Sequence, residues 1–144
     1  MNVSIDGSIL SVIQDHARTT YPEECCGALI GVADAGRHRV LDAIALENEA
    51  PTGREHAFVI SAQQSLACSR LAAKLGLDVV GFYHSHPDHS PVPSQRDREL
   101  GWPSYCFVIT GIDRDGVAAT RAWQLHNDGS HFTELSLDIV PDAP

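Results

Sequence analysis

Lysine is almost absent from this chain: of its ten basic residues nine are arginine and only Lys74 is lysine, against nineteen acids, for a formal charge of -9 over 144 residues. With no basic cluster, nucleic acid and anionic membrane are excluded as main partners. What remains is a partner with a basic face, or acidity that serves solubility alone. No run approaches the roughly twenty apolar residues of a membrane span. Met1-Asn2-Val3-Ser4-Ile5-Asp6 has neither the basic region nor the apolar core of a secretory signal, so the expected location is cytoplasmic. Cys25, Cys26, Cys68 and Cys106 show no C-x-x-C spacing. A disulfide framework and a four-thiolate zinc site are thereby disfavoured, and the thiols are expected to pack as small apolar residues. Internal repeats and low-complexity tracts are missing too. Length and an ordinary 43% hydrophobic content fit one domain over residues 1–140, with 141–144 as a frayed tail.

Apolar residues Ile9, Leu10, Ile13 and Ala17 recur at helical spacing, which predicts a first helix from Gly7 to about Arg18, closed by Tyr21-Pro22. Cys26 to Val32 reads as a buried strand, and a turn at Ala35-Gly36 leads into a second strand from His38 to Leu46. A loop from Asn48 to Arg54 and a brief extended piece from Ala57 to Ile60 precede a second helix. Ser61-Ala62-Gln63-Gln64 has the form of a capping box for it, and Gly76 its stop. Asp78 to His86 reads as a strand with Val80, Phe82, His84 and His86 on one face and Val79, Gly81 and Tyr83 on the other. Three prolines between Pro87 and Pro93 make a restrained loop, followed by a short helix from Ser94. Strands from Tyr105 to Ile109, Val117 to Leu125 and His131 to Leu137 end the chain as a meander, with Asp113–Gly116 and Asn127–Gly129 as turns.

The chemistry is concentrated in His84-Ser85-His86-Pro87. Two imidazoles two apart on a strand share a face, and Asp97 a loop later completes a three-ligand set that leaves a fourth position open to water, the pattern of a catalytic rather than a structural zinc site. Surface histidines on an edge strand are the competing reading, weakened by the apolar neighbours Val80 and Phe82. Ser94 and Asp97 form S-x-x-D at a helix start, which is equally a capping box; the two readings are compatible, since the Ser94 hydroxyl can cap and still donate to a developing oxyanion. An acid ahead of a buried strand needs a partner or a task, and spacing alone does not choose between Glu23 and Glu24. His89 reads as a solvated loop residue or a substrate contact. Trp102 is expected in the core, with a groove wall as the alternative. Cys25 is expected to pack, and His16, His38, His56, His126 and His131 show no ligand spacing.

Glu24, His84-Ser85-His86-Pro87, the seven residues Pro87 to Pro93, then Ser94-Gln95-Arg96-Asp97 resemble the JAMM (MPN+) metalloprotease signature E…H-[ST]-H-x7-S-x-x-D. Pro22-Glu23-Glu24-Cys25-Cys26-Gly27-Ala28-Leu29-Ile30-Gly31 is similar to the family's E-x-C-G-L-L-x-G segment, which puts Glu24 rather than Glu23 in the base position. Trp102-Pro103-Ser104-Tyr105 resembles a W-P-x-Y stretch of compact bacterial members. The likeness spans roughly residues 8 to 125.

This resemblance implies an α/β JAMM/MPN fold, cytidine-deaminase-like, with a mixed central β-sheet flanked by helices. It implies Zn2+ held by His84, His86 and Asp97, Glu24 as general base and Ser94 as oxyanion donor. The expected activity is that of a zinc-dependent peptidase or isopeptidase. Too compact for the insertions of eukaryotic deubiquitinating relatives, the chain looks like prokaryotic members acting on ubiquitin-like or sulfur-carrier proteins at a C-terminal Gly-Gly. An extended diglycine tail would lie between the loops after Asn48 and after Pro87. Two other readings stand beside this one: a catalytically silent MPN scaffold, which the complete ligand set disfavours, and a metal-dependent amidase acting on a small amino-acid conjugate. Deaminase chemistry is disfavoured by the missing H-x-E and P-C-x-x-C signatures. Oligomeric state is left open.

Overall fold

The computed structural model describes residues 1–141; the rest of the expected frayed tail, 142–144, lies outside the described residues. The element order is β1 (Asn2–Asp6), α1 (Gly7–Thr20), β2 (Cys26–Asp34), β3 (Arg37–Leu46), α2 (Ala62–Lys74), β4 (Asp78–Pro87), α3 (Gln95–Leu100), β5 (Cys106–Asp113), β6 (Gly116–Leu125) and β7 (Phe132–Val140). The sheet is mixed, as expected, and curls into a closed barrel in the order β1-β3-β2-β4-β5-β6-β7. Closure depends on β1, which pairs in parallel with β3 on one side and β7 on the other. The sequence reading contains no such strand. Two fully buried residues, Val3 and Ile5, are too short an alternation to declare one.

Leu10, Ile13 and Ala17 turn the apolar stripe of α1 into the main core with Val3, Ile5, Leu29, Tyr83, Val108 and Leu135. α2 buries Cys68 and Ala72, and it packs against β2 and β4. Ser61 caps α2 by accepting from Gln64 N (3.2 Å), but Gln64 does not return the bond. Its amide instead clamps both backbone groups of Glu47 at the end of β3. The Ala57–Ile60 piece makes no sheet strand, although Glu49 N donates to Val59 O. All four cysteines are free and buried, in line with the packing role expected of them. Among the described residues no helix is long and apolar enough to cross a membrane.

One feature of β4 corrects the sequence reading. The β2–β4 register shifts between Leu29/Ile30, where their partners are Gly81 and Val79, so Val80 is the extra residue of a bulge. Val80 therefore joins Tyr83 in the core cluster, while Phe82 lines the cleft with His84. The face carrying the two histidines continues Phe82 but not Val80. Close approach also requires Gly27: a Cβ there would run into the Tyr83 ring and the Ile44 carbonyl.

Candidate metal centre and cleft

β4 pairs with β2 on one side, Cys26 opposite His84, and in parallel with β5 on the other, His86 opposite Gly111. The two imidazoles are thus anchored between two strands, and both are buried. Ser85 points away from them and binds the chain ahead of β2: its Oγ accepts from Cys25 N (2.8 Å), and its N donates to Cys25 O (3.2 Å). The middle residue of the H-S-H run thereby fastens the Glu24 segment beside the histidines. Alternation along a strand was the signal available for it, since a hydroxyl facing the opposite side needs a partner of its own.

The loop after β4 is held at several points. Asp88 N donates to Ile112 O (2.6 Å), Trp123 Nε1 to Pro91 O (3.0 Å), and the Tyr21 hydroxyl to Asp88 Oδ1 (2.8 Å). His86 Nδ1 lies 2.9 Å from Ser90 O. A carbonyl only accepts, so Nδ1 carries the hydrogen and Nε2 is left with its lone pair. α3 then presents Asp97. Ser94 and Asp97 form a reciprocal capping box, Ser94 N to Asp97 Oδ2 (2.8 Å) and Asp97 N to Ser94 Oγ (3.1 Å). The same carboxylate faces both histidines, so capping and inward orientation coexist as the sequence allowed.

Three ligand-type atoms converge here. His84 Nε2 is 3.1 Å from His86 Nε2 and 3.2 Å from Asp97 Oδ1, and His86 Nε2 is 3.1 Å from Asp97 Oδ2. A tetrahedral ion with bonds of about 2.0–2.1 Å spans ligand pairs about 3.3 Å apart, so the separations fit one. The donor set fits as well: a lone pair on His86 Nε2 facing a carboxylate needs a proton or a cation between them.

Electrostatics point the same way. Burial pushes His84 below the usual imidazole range, towards the neutral form, even though Asp97 pulls the other way. Burial also opposes charge on His86, but the Asp97 carboxylate and the Ser90 carbonyl outweigh it and raise its pKa. For Asp97, burial is overcome by hydrogen bonds from His84, His86 and Ser94 N, and the carboxyl is held well below the ordinary range.

Glu24 is 6% exposed, whereas Glu23 is only half-buried. Burial raises the Glu24 carboxyl from 4.5 to about 7, with Asp97 adding to the rise and His86 and Arg96 opposing it. Its backbone is tied down by Arg54 O, which accepts from Glu24 N at 2.8 Å, and by Asn48. Asn48 is a residue the sequence reading placed only in a loop. Its Nδ2 donates to Glu24 O (3.1 Å) and Ala57 O (2.9 Å), and its Oδ1 accepts from Ala50 N and Val59 N. The bracketed loop brings Phe58 onto His84, with ring centroids 4.6 Å apart. An asparagine followed by Pro51 and Gly53 was the available hint, because such amides commonly organise loops.

A cleft of about 480 Å³ opens beside these groups, walled by Phe58, Phe82, Trp102 and Phe107 and reaching His84 and Asp97. Trp102 is 66% exposed, which overturns its expected place in the core: it follows directly on α3 and Gly101, and its ring forms a wall of the cleft. Ser94 and His89 are exposed, and Cys25 is buried.

Residues 7–126 match the family described as prokaryotic homologs of the JAB domain. A curated relative, the desampylase of Haloferax volcanii, is 36% identical over 133 residues, covering 92% of this chain and 89% of the relative. A solution structure of a protein from Salinibacter ruber is 36% identical with a TM-score of 0.74, covering 100% of this chain and 95% of that one. Another, from Desulfitobacterium hafniense, shares the fold at 22% identity and a TM-score of 0.84, covering 97% and 94%. The JAMM resemblance and the fold it implied are borne out, and the chain belongs to the family of prokaryotic homologs of the JAB domain.

Proposed function

We propose that the protein is a zinc-dependent isopeptidase that hydrolyses the amide bond at the C-terminal Gly-Gly of a ubiquitin-like or sulfur-carrier protein. The observation that carries this reading is the convergence of His84, His86 and Asp97 within 3.1–3.2 Å, with a buried acid, Glu24, whose carboxyl feels the charges of His86 and Asp97. The desampylase likeness over nearly the whole chain supports the substrate class. His84 and His86 would hold Zn2+ through Nε2 and Asp97 through its carboxylate. Zinc supplies Lewis-acid chemistry, lowering the pKa of water towards about 7 and polarising the scissile carbonyl.

The remaining work falls to the chain itself. Glu24, with a carboxyl near neutrality, takes the proton of the attacking water and passes it to the departing nitrogen. Ser94 Oγ uses a lone pair to accept from Asp97 N, so its hydroxyl hydrogen is free to meet the oxyanion, a donor typically worth about 2.7–4 kcal/mol in the transition state. The apolar cleft between Phe58 and Trp102 admits an extended tail, and glycines at the scissile end leave room for close backbone approach.

Mass spectrometry of carrier conjugates incubated with the zinc-loaded protein tests the proposal. Release of a carrier ending in Gly-Gly is expected, abolished by a chelator and by Glu24→Gln with zinc retained. Equal cleavage of carriers whose terminal glycines are replaced by bulky residues would remove the diglycine model, and cleavage by the Glu24→Gln variant would remove the proposed base.

A further inference from the structure

His84 and His86 differ in what holds the ring nitrogen that does not face Asp97. His86 Nδ1 lies 2.9 Å from the Ser90 carbonyl. His84 Nδ1 is buried and has no hydrogen-bond partner among the described residues. The residues opposite His84 on β2 and β5 are Cys26 and Ile109, neither with a side-chain oxygen to offer. A histidine that ligates through Nε2 ordinarily gives its Nδ1 hydrogen to an outer acceptor, which sets both the tautomer and the plane of the ring. His84 has no such bond, so its plane must be set by packing.

The ring packed flat against it is Phe58, with centroids 4.6 Å apart and planes 28° from parallel. The His86 ring is tilted 56° from His84 and offers no parallel face. Phe58 belongs to no strand, yet one side chain fixes the peptide groups on both sides of it: Ala57 O accepts from Asn48 Nδ2 (2.9 Å), and Val59 N donates to Asn48 Oδ1 (3.1 Å). Glu49 N donates to Val59 O (2.9 Å) as a third anchor. An irregular segment tied at three points thus holds one flat face over the imidazole, and a stacked contact opposes tilting of the ring.

On the reading of His84 as a zinc ligand, we propose that Phe58 is its positioning residue, with ring stacking in the place that the Ser90 carbonyl holds for His86. Phe58 binds no metal itself. It keeps His84 Nε2 aimed into the space shared with His86 Nε2 and the Asp97 carboxylate, and Asn48 is the clasp behind it. Metal affinity, not turnover alone, therefore depends on a flat ring at position 58.

Zinc affinity, measured by chelator competition without substrate and well below each variant's Tm, tests this. Phe58 also lines the cleft, so activity alone would mix two roles. Phe58→Leu, apolar but without a flat face, should bind zinc about three- to tenfold more weakly than the wild type, the worth of an aromatic pair. Phe58→Tyr or Phe58→Trp should stay within about twofold. In the metal-free protein, the His84 ring-proton resonances should lose their ring-current shift in Phe58→Leu and keep one in the aromatic variants. His84→Ala should lose tight zinc altogether; unchanged affinity there would overturn the metal centre and this role with it. If His84→Ala loses zinc while Phe58→Leu stays within about twofold of the wild type, or both aromatic variants weaken as far as Phe58→Leu, the metal centre stands and the positioning role is overturned.

Discussion

Glu24, the proposed base, would tie stability to chemistry through a single buried acid. Its folded-state pKa of about 7 exceeds the ordinary 4.5, so in the metal-free protein the folded state binds the extra proton. Stability from this group is complete below about pH 4.5 and is lost as pH rises through about 7. Glu24→Gln removes the dependence. In the metal-free state the variant should match the wild type at pH 4.5 and exceed it by up to about 3 kcal/mol above pH 8, as read by urea unfolding. Identical pH slopes for the two proteins would contradict the buried-acid account. A dication beside Glu24 acts oppositely, favouring the charged carboxylate. Trp102 belongs to the same scale. Because its ring is mostly exposed on a wall of the cleft, Trp102→Ala should lower kcat/KM for a carrier conjugate about tenfold while zinc content and Tm stay unchanged. A Tm loss of more than a few degrees would return Trp102 to a packing role. The sequence marked both residues in different ways. A multi-part motif preferred Glu24 over Glu23 as the proposed base, whereas W-P-x-Y carries no information about which side of the ring meets solvent.

Among the elements, the strand and helix bearing the proposed ligands were legible and the segments that orient them were not. Period-two alternation located β4, and S-x-x-D located α3, because both are local signals. The bulge at Val80 was hidden, since a one-residue slip appears only in the pairing with β2. The loop after β4 also depends on a distant contact. Gly111 on β5 lies beneath it, and a Cβ there would come within 2.9 Å of both His89 O and Pro91 Cδ. Gly111→Ala should push the loop outward and weaken the bond from His86 Nδ1 to Ser90 O. Losing such an outer-shell acceptor typically costs 10- to 100-fold in metal affinity, so competition with a chelator should show a loss of about that size. If affinity is unchanged, the Ser90 carbonyl does not orient His86.

At the scale of the whole molecule, β1 was the largest omission, and its cause is physical. Five residues with two apolar positions give no periodic signal, and their partners on β3 and β7 lie far along the chain, at Val40 and Ile139 for Ile5. Only closure of the barrel makes this segment a strand. The same closure separates stability from activity. Ile5 is fully buried among β3, β7 and α1, while the proposed ligands sit on β4 and α3 across the barrel. Ile5→Ala should cost about 2–5 kcal/mol, through lost burial and the cavity left behind. Its kcat at a temperature well below the new Tm should stay within about twofold of the wild type, because β4 is held by β2 and β5 independently of β1. Thermal unfolding and single-temperature kinetics on the same sample separate the two effects. A large fall in kcat in protein that remains folded would mean that strain at the β1 seam reaches the histidines, and that the barrel positions the proposed metal centre as one unit rather than through β4 and its immediate neighbours.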